Sequence, residues 1–145
     1  MFPQHLLRLG ESGLCLFAAG FLGKQDAYWM ANAGMDATCV DTDAEKLAVM
    51  KQLYPRDWEF VVADVFDFAA AADRQWDVVS LDPFTNLYDQ VGDLVDRWCA
   101  LARRGVVMGC GRRQAIRAPV GWRVSEMVRR SAFHGGTYWA VLEPR

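Results

Sequence analysis

The chain has 145 residues, of which 52% are hydrophobic and 23% charged, and its formal net charge is −2. These are ordinary values for a globular α/β protein, and a chain of this length buries most of its apolar surface without disulfide or metal staples. No apolar run approaches the roughly 20 residues of a membrane helix, so a single domain over residues 1–145 with no membrane partner is expected.

In chain order, Pro3–Leu9 reads as a short helix and Leu14–Ala18 as the first strand. Met1–Gly20 has the outline of a signal peptide, but Glu11, Ser12 and Gly13 interrupt it, and the start is read as mature protein. Lys24–Ala33 predicts a helix that Gly34 ends as its C′ residue. Ala37–Asp41 is the second strand, and Thr42-Asp-Ala-Glu45 fits a capping box with Thr42 as N-cap. Leu47, Met50 and Leu53 give the helix that follows an apolar side. Glu59–Ala63 is the third strand and Phe66–Ala72 a short helix.

Trp76–Leu81 is an almost unbroken apolar run, suited to the centre of a parallel sheet. Val91, Leu94, Val95, Trp98, Leu101 and Ala102 then predict one helix, its dipole complemented by Arg103 and Arg104 and its end set by Gly105. Val106–Cys110 is the fifth strand, and the basic stretch Gly111–Gly121 has room for only a short helix. Trp122–Arg129 and Thr137–Leu142 read as strands, and the short Ser131–Gly136 connection permits only an antiparallel pair.

Cys15, Cys39, Cys99 and Cys110 show no metal spacing and read as buried free thiols, which favours a cytoplasmic protein. His5 and His134 stand alone, so no metal is expected. Charge is divided unevenly: sixteen acids precede Arg97, whereas ten arginines but only Glu126 and Glu143 lie from Arg97 onward. An anionic partner for the second half is one reading of this, and solvated arginines on strand and helix faces are the other.

The first four strands each end in a glycine turn or an acid: Ala18-Ala-Gly-Phe-Leu-Gly23, Asp41, Asp64 and Asp82. In an alternating β/α chain these ends share the edge where ligands bind. Carboxylates there suit a nucleoside, whose ribose hydroxyls and base amine are donors.

Five β/α units closed by an antiparallel hairpin is a layout that resembles class I S-adenosylmethionine-dependent methyltransferases over nearly the whole chain. The resemblance implies a Rossmann-like three-layer α/β/α sandwich with a mostly parallel seven-stranded sheet. Ala33–Asp43 resembles the passage whose acid binds the ribose, so Asp41, with Thr42 beside it, is implied as a cofactor residue. Val61–Phe66 is similar to the segment that faces the adenine, which implies Asp64 and Val65. Ser80-Leu-Asp-Pro-Phe84 is similar to the fourth-strand motif of amine-methylating members and implies catalytic roles for Asp82, Pro83 and Phe84. Ala18, Ala19, Gly20 and Gly23 fall in the first, glycine-rich motif. There the sequence departs from the pattern: Phe17 stands at the acid position, and Ala19 and Phe21 at two of the three glycine positions. A faint likeness of Leu16–Gly20 to cytosine-C5 methyltransferases is set aside, because Phe84 stands where those enzymes need a nucleophilic cysteine.

The leading expectation is transfer of a methyl group from S-adenosylmethionine to an amine nitrogen, with Asp82 accepting an N–H bond and Phe84 stacking on a planar acceptor. A nucleic acid base is favoured, with Arg112, Arg113, Arg117, Arg123, Arg129 and Arg130 as phosphate contacts, and a small molecule or a protein side chain is the other acceptor class. The alternatives are a non-catalytic scaffold built on the same fold and a nicotinamide dinucleotide domain. Ala18-x-Gly20-x-x-Gly23 nearly meets the fingerprint of the latter.

Overall fold

The computed structural model describes residues 2–9, 11–112, 114–130 and 137–145, so the expected Ser131–Gly136 connection, with His134, and Arg113 lie outside the described residues. Seven strands form one sheet: β1 (Ser12–Leu16), β2 (Asp36–Asp41), β3 (Glu59–Val62), β4 (Trp76–Leu81), β5 (Ala102–Cys110), β6 (Trp122–Arg129) and β7 (Tyr138–Pro144). Their order is β3-β2-β1-β4-β5-β7-β6. The first five pair in parallel, and β7 runs antiparallel to both of its neighbours. The carboxyl ends of β1–β6 and the start of β7 therefore share one edge.

Strand period places the core on both faces. Leu14, Leu16, Val79, Leu81, Val106 and Met108 face one way, with the helices α3 (Val65–Ala71), α4 (Tyr88–Gly92) and α5 (Val95–Ala100). Cys15, Val78, Val107, Trp139 and Val141 face the other way, with α1 (Ala27–Asn32), α2 (Ala44–Leu53) and a 3₁₀ turn at Gln4–Leu9. All six residues of β4 are buried, as its unbroken apolar run requires. All four cysteines are free and buried. Among the described residues no group of side chains is arranged to hold a metal, and no helix is long and apolar enough to cross a membrane.

Several boundaries differ from the sequence expectation. β1 starts earlier and stops at Leu16, because Phe17 turns the chain with φ 60°. α1 begins at Ala27 behind the N-cap Asp26. Asp43, one residue beyond Thr42, caps α2 by accepting the Lys46 amide at 3.0 Å. The single helix expected through Arg104 is two short helices and a strand. The chain breaks after Gly92, and β5 begins at Ala102, paired with Trp76. Arg103 does not serve a helix dipole; its Nε donates to Asp77 at 2.9 Å. That ion pair holds the amino end of β5 against β4, and Gly105 sits inside the strand. The Gly111–Gly121 stretch has no helix among its described residues.

Candidate functional site

The turn after β1 forms the inner wall of the carboxyl edge. The Ala18 amide donates to the Val40 carbonyl at 3.1 Å and the Ala19 amide to Asp41 Oδ2 at 3.0 Å, which ties the turn to the end of β2. Phe21, Leu22 and Gly23 then follow one another at φ 50°, 52° and 76°. That conformation costs a side chain of L configuration roughly 1–2 kcal/mol per residue. Tyr54 Oη donates to the Leu22 carbonyl at 2.9 Å and helps hold the turn. Gly23 is turned away from the edge and buried against the helices: a Cβ there would lie 2.8 Å from the Ala27 Cβ and the Met50 methyl. The ring of Phe17 packs edge-on against Phe66 at 5.9 Å.

Asp41 accepts an amide on each oxygen, from Ala19 on Oδ2 and from Asp43 on Oδ1 at 3.0 Å. Each oxygen keeps a second lone pair, which fits a ribose diol at the rim. Thr42 beside it is exposed. Asp64 is exposed and caps α3, with Oδ1 accepting the Asp67 amide at 2.9 Å, while Val65 is buried beneath it. The nucleoside half of a cofactor thus has residues suited to it, but the turn carries no acid of its own.

Beyond the turn, a cleft of about 290 Å³ opens between Gly20-Phe21 and Asp82–Thr85, with Tyr88, Arg130 and Thr137 completing its wall. Phe21 and Phe84 are 57% and 67% exposed there, so Phe21 stands in the cleft and not behind the turn. Asp82 does not stand ready for a substrate amine as expected, because Arg130 Nη2 lies 2.7 Å from its Oδ1 and both side chains are buried. The guanidinium carbon lies 4.2 Å over the Trp139 ring, and Nη1 donates to Tyr88 Oη at 3.4 Å. Gly109 allows this close approach; a Cβ there would come within 3.1 Å of Nη1. Arg130 Nε and Thr137 Oγ1 are buried without a hydrogen-bond partner.

Asp26 was not legible as part of this edge. Its carboxylate accepts the Ala27 amide at 2.8 Å and the Ser80 hydroxyl at 2.9 Å, and it is fully buried under the turn. Burial, and then the negative charge of Asp82, push its pKa up to about 7. The only sequence signal was an N-cap residue ahead of α1, which says nothing of depth.

The six arginines do not form one patch. Arg130 is buried, Arg113 lies outside the described residues, and Arg123 faces Glu143 near the amino end of β6. Arg112, Arg117 and Arg129 are exposed, and Arg112 and Arg129 follow or end strands at the carboxyl edge. A larger hollow of about 710 Å³ lies toward the opposite edge, but exposed Asp73, Arg74 and Gln75 line it, and Asp41, Asp64 and Asp82 do not.

No protein-family model and no curated protein sequence matches the chain. Solved structures do. TrmN from Thermus thermophilus superposes with a TM-score of 0.72 at 19% identity over 98% of this chain, which spans 48% of TrmN. A Haemophilus influenzae protein described as a methylase, HI0767, gives a TM-score of 0.76 at 15% identity, covering 97% of this chain and 91% of its own. A S-adenosylmethionine-dependent methyltransferase from Thiobacillus denitrificans, solved with S-adenosylhomocysteine, gives 0.69 at 14% identity over 98% and 89%. Strand order, antiparallel hairpin and these superpositions agree: the chain has the fold of the class I S-adenosylmethionine-dependent methyltransferases.

Proposed function

We propose that the chain is a methyltransferase that binds S-adenosylmethionine along the ends of β1–β3 and methylates a planar acceptor seated in the Phe21–Phe84 cleft. The observation that carries this reading is the adjacency of two features at one edge. The Asp41-anchored turn suits a nucleoside, and the Asp82–Phe84 cleft opens beside it. When bound, the cofactor supplies an electrophilic methyl group. The chain supplies position: Asp41 takes the ribose hydroxyls, Asp64 and Val65 border the base, and Phe84 stacks on the acceptor ring. Alignment of this kind accounts for much of the rate in such transfers. An amine nitrogen fits as acceptor, with the Pro83 carbonyl region taking its N–H bond beside the Asp82–Arg130 pair. Exposed Arg112 and Arg129 on this edge support a phosphate-bearing acceptor such as a nucleic acid.

A second reading, a scaffold without turnover, draws on the same geometry. Asp41 and Asp64 already serve backbone amides, Asp82 is ion-paired, and Phe21 occupies a glycine position in the cleft. Calorimetric titration with S-adenosylhomocysteine, using NAD as control, separates the two readings. Micromolar binding of the first alone, weakened in Asp41→Asn, supports the enzyme. No binding at millimolar ligand leaves the scaffold.

A further inference from the structure

We propose that Arg130 and Thr137 read a hydrogen-bond-accepting atom, a carbonyl oxygen or ring nitrogen, on a neutral planar ring seated against Phe21 and Phe84. Arg130 follows β6 and Thr137 precedes β7, and the Arg130 amide donates to the Thr137 carbonyl at 3.0 Å. Both residues line the cleft. The guanidinium is fixed on three sides, by Asp82, Tyr88 and the Trp139 ring. Its Nε–H and the Thr137 hydroxyl are nevertheless buried without partners.

Buried polar atoms in folded proteins are nearly always paired, and each one left unpaired costs roughly 1–3 kcal/mol. Two such atoms on neighbouring residues of one cleft point to a partner from outside the chain. A guanidinium Nε–H only donates, and a hydroxyl beside it donates as readily, so the partner presents an acceptor. Charge narrows the class further. Asp82 neutralises Arg130, and the Asp26 carboxyl nearby, pushed up to about 7 by burial and by the charge of Asp82, adds no positive field. Among the described residues that line the cleft Arg130 is the one cation, so a carboxylate would lose its hydration there without a second, whereas a neutral carbonyl or ring nitrogen loses far less. The exposed Phe21 and Phe84 rings favour a flat partner. Both donors are buried, so the inference requires a seated ring to part the cleft walls far enough to reach them.

The inference rests on the methyltransferase reading only for what the ring then undergoes, and its test runs separately. The full chain, labelled with ¹⁵N, is titrated with benzamide, benzoate and toluene while the Arg130 Nε–H and Trp139 indole resonances are followed. Benzamide should move the Nε–H resonance downfield and bind about tenfold more tightly than toluene, the worth of one hydrogen bond. Thr137→Val, checked for its fold by near-ultraviolet circular dichroism, should lose most of that difference. Equal binding of benzamide and toluene, an Nε–H resonance that benzamide leaves unmoved, or tighter binding of benzoate overturns the inference. Titration of the same protein with S-adenosylhomocysteine reports on the cofactor reading alone. If that ligand fails to bind while benzamide is still preferred, the methyltransferase reading falls and the subsite stands.

Discussion

At the amino edge of the sheet, Asp77 accepts the Glu11 amide at 2.7 Å, the Ser12 amide at 3.1 Å and the Arg103 Nε at 2.9 Å. Burial raises its pKa, but these donors outweigh burial and hold it below the ordinary carboxylate value. At the carboxyl edge, Arg130 and Asp82 pair at 2.7 Å in a more buried setting, yet Nε of Arg130, Oγ1 of Thr137 and the Trp139 indole nitrogen lack partners. Strained φ values at Phe17, Phe21 and Leu22 lie on that edge as well. One edge satisfies its charge and fastens β1, β4 and β5 together. The other leaves polar groups unmatched and backbone strained, which is the pattern expected of the ligand site proposed there.

The comparison is broken most sharply by Arg130→Ala. It strands the buried Asp82 charge, and urea denaturation should show a loss of about 3–5 kcal/mol. Pairing Arg130→Met with Asp82→Asn should recover most of that loss, because the pair stabilises the fold mainly by neutralising itself. If the single substitution proves neutral, the carboxyl-edge pair is not buried as described.

Asp77→Ala should cost less, about 2 kcal/mol in the same measurement, since the amides it leaves are only partly buried. It should leave affinity for S-adenosylhomocysteine unchanged. The depressed pKa of Asp77 has a signed consequence: its contribution is present above the unfolded carboxylate value and is lost as pH falls through the folded one. Acid unfolding of Asp77→Asn should therefore begin from a lower plateau and depend less on pH below about 4.

Asp26 behaves in the opposite sense. Its folded pKa of about 7 is raised, so the folded state holds a proton that the unfolded chain gives up near pH 4, and stability falls as pH rises between the two. Melting temperatures of Asp26→Asn at pH 5 and pH 8 should lie closer together than those of the natural chain. The smallest effect is a gain. Phe21→Gly relieves a side chain held at φ 50° and should stabilise by about 1 kcal/mol while weakening benzamide binding. A gain in stability with unchanged ring binding would separate Phe21 from the cleft's function.

Much of the architecture was legible because its signals are local. The apolar run of Trp76–Leu81, the acids that close β2 and β3, and a connection too short for a parallel crossover each lie within a few residues of the structure they specify. The helix expected through Arg104 failed for a reason of the same kind. The period of Val91, Val95 and Trp98 is genuinely helical, but whether residues from Ala102 onward continue as helix or join a sheet depends on Asp77 and Trp76, far along the chain. The fourth-strand motif was legible as a motif, but its electrostatic state was not. Arg129 and Arg130 look alike in sequence, and only one of them points inward.

Composition, strand and helix period and the spacing of acids thus determined a Rossmann-like sheet with acids at its carboxyl edge, because side-chain alternation and turn chemistry act over short stretches of chain. The tertiary structure alone decided which polar groups meet: Asp82 with Arg130, Asp26 with Ser80, Asp77 with Arg103. Such pairings join segments distant in sequence, and their energies depend on burial, which no residue carries by itself until the sheet has closed around it.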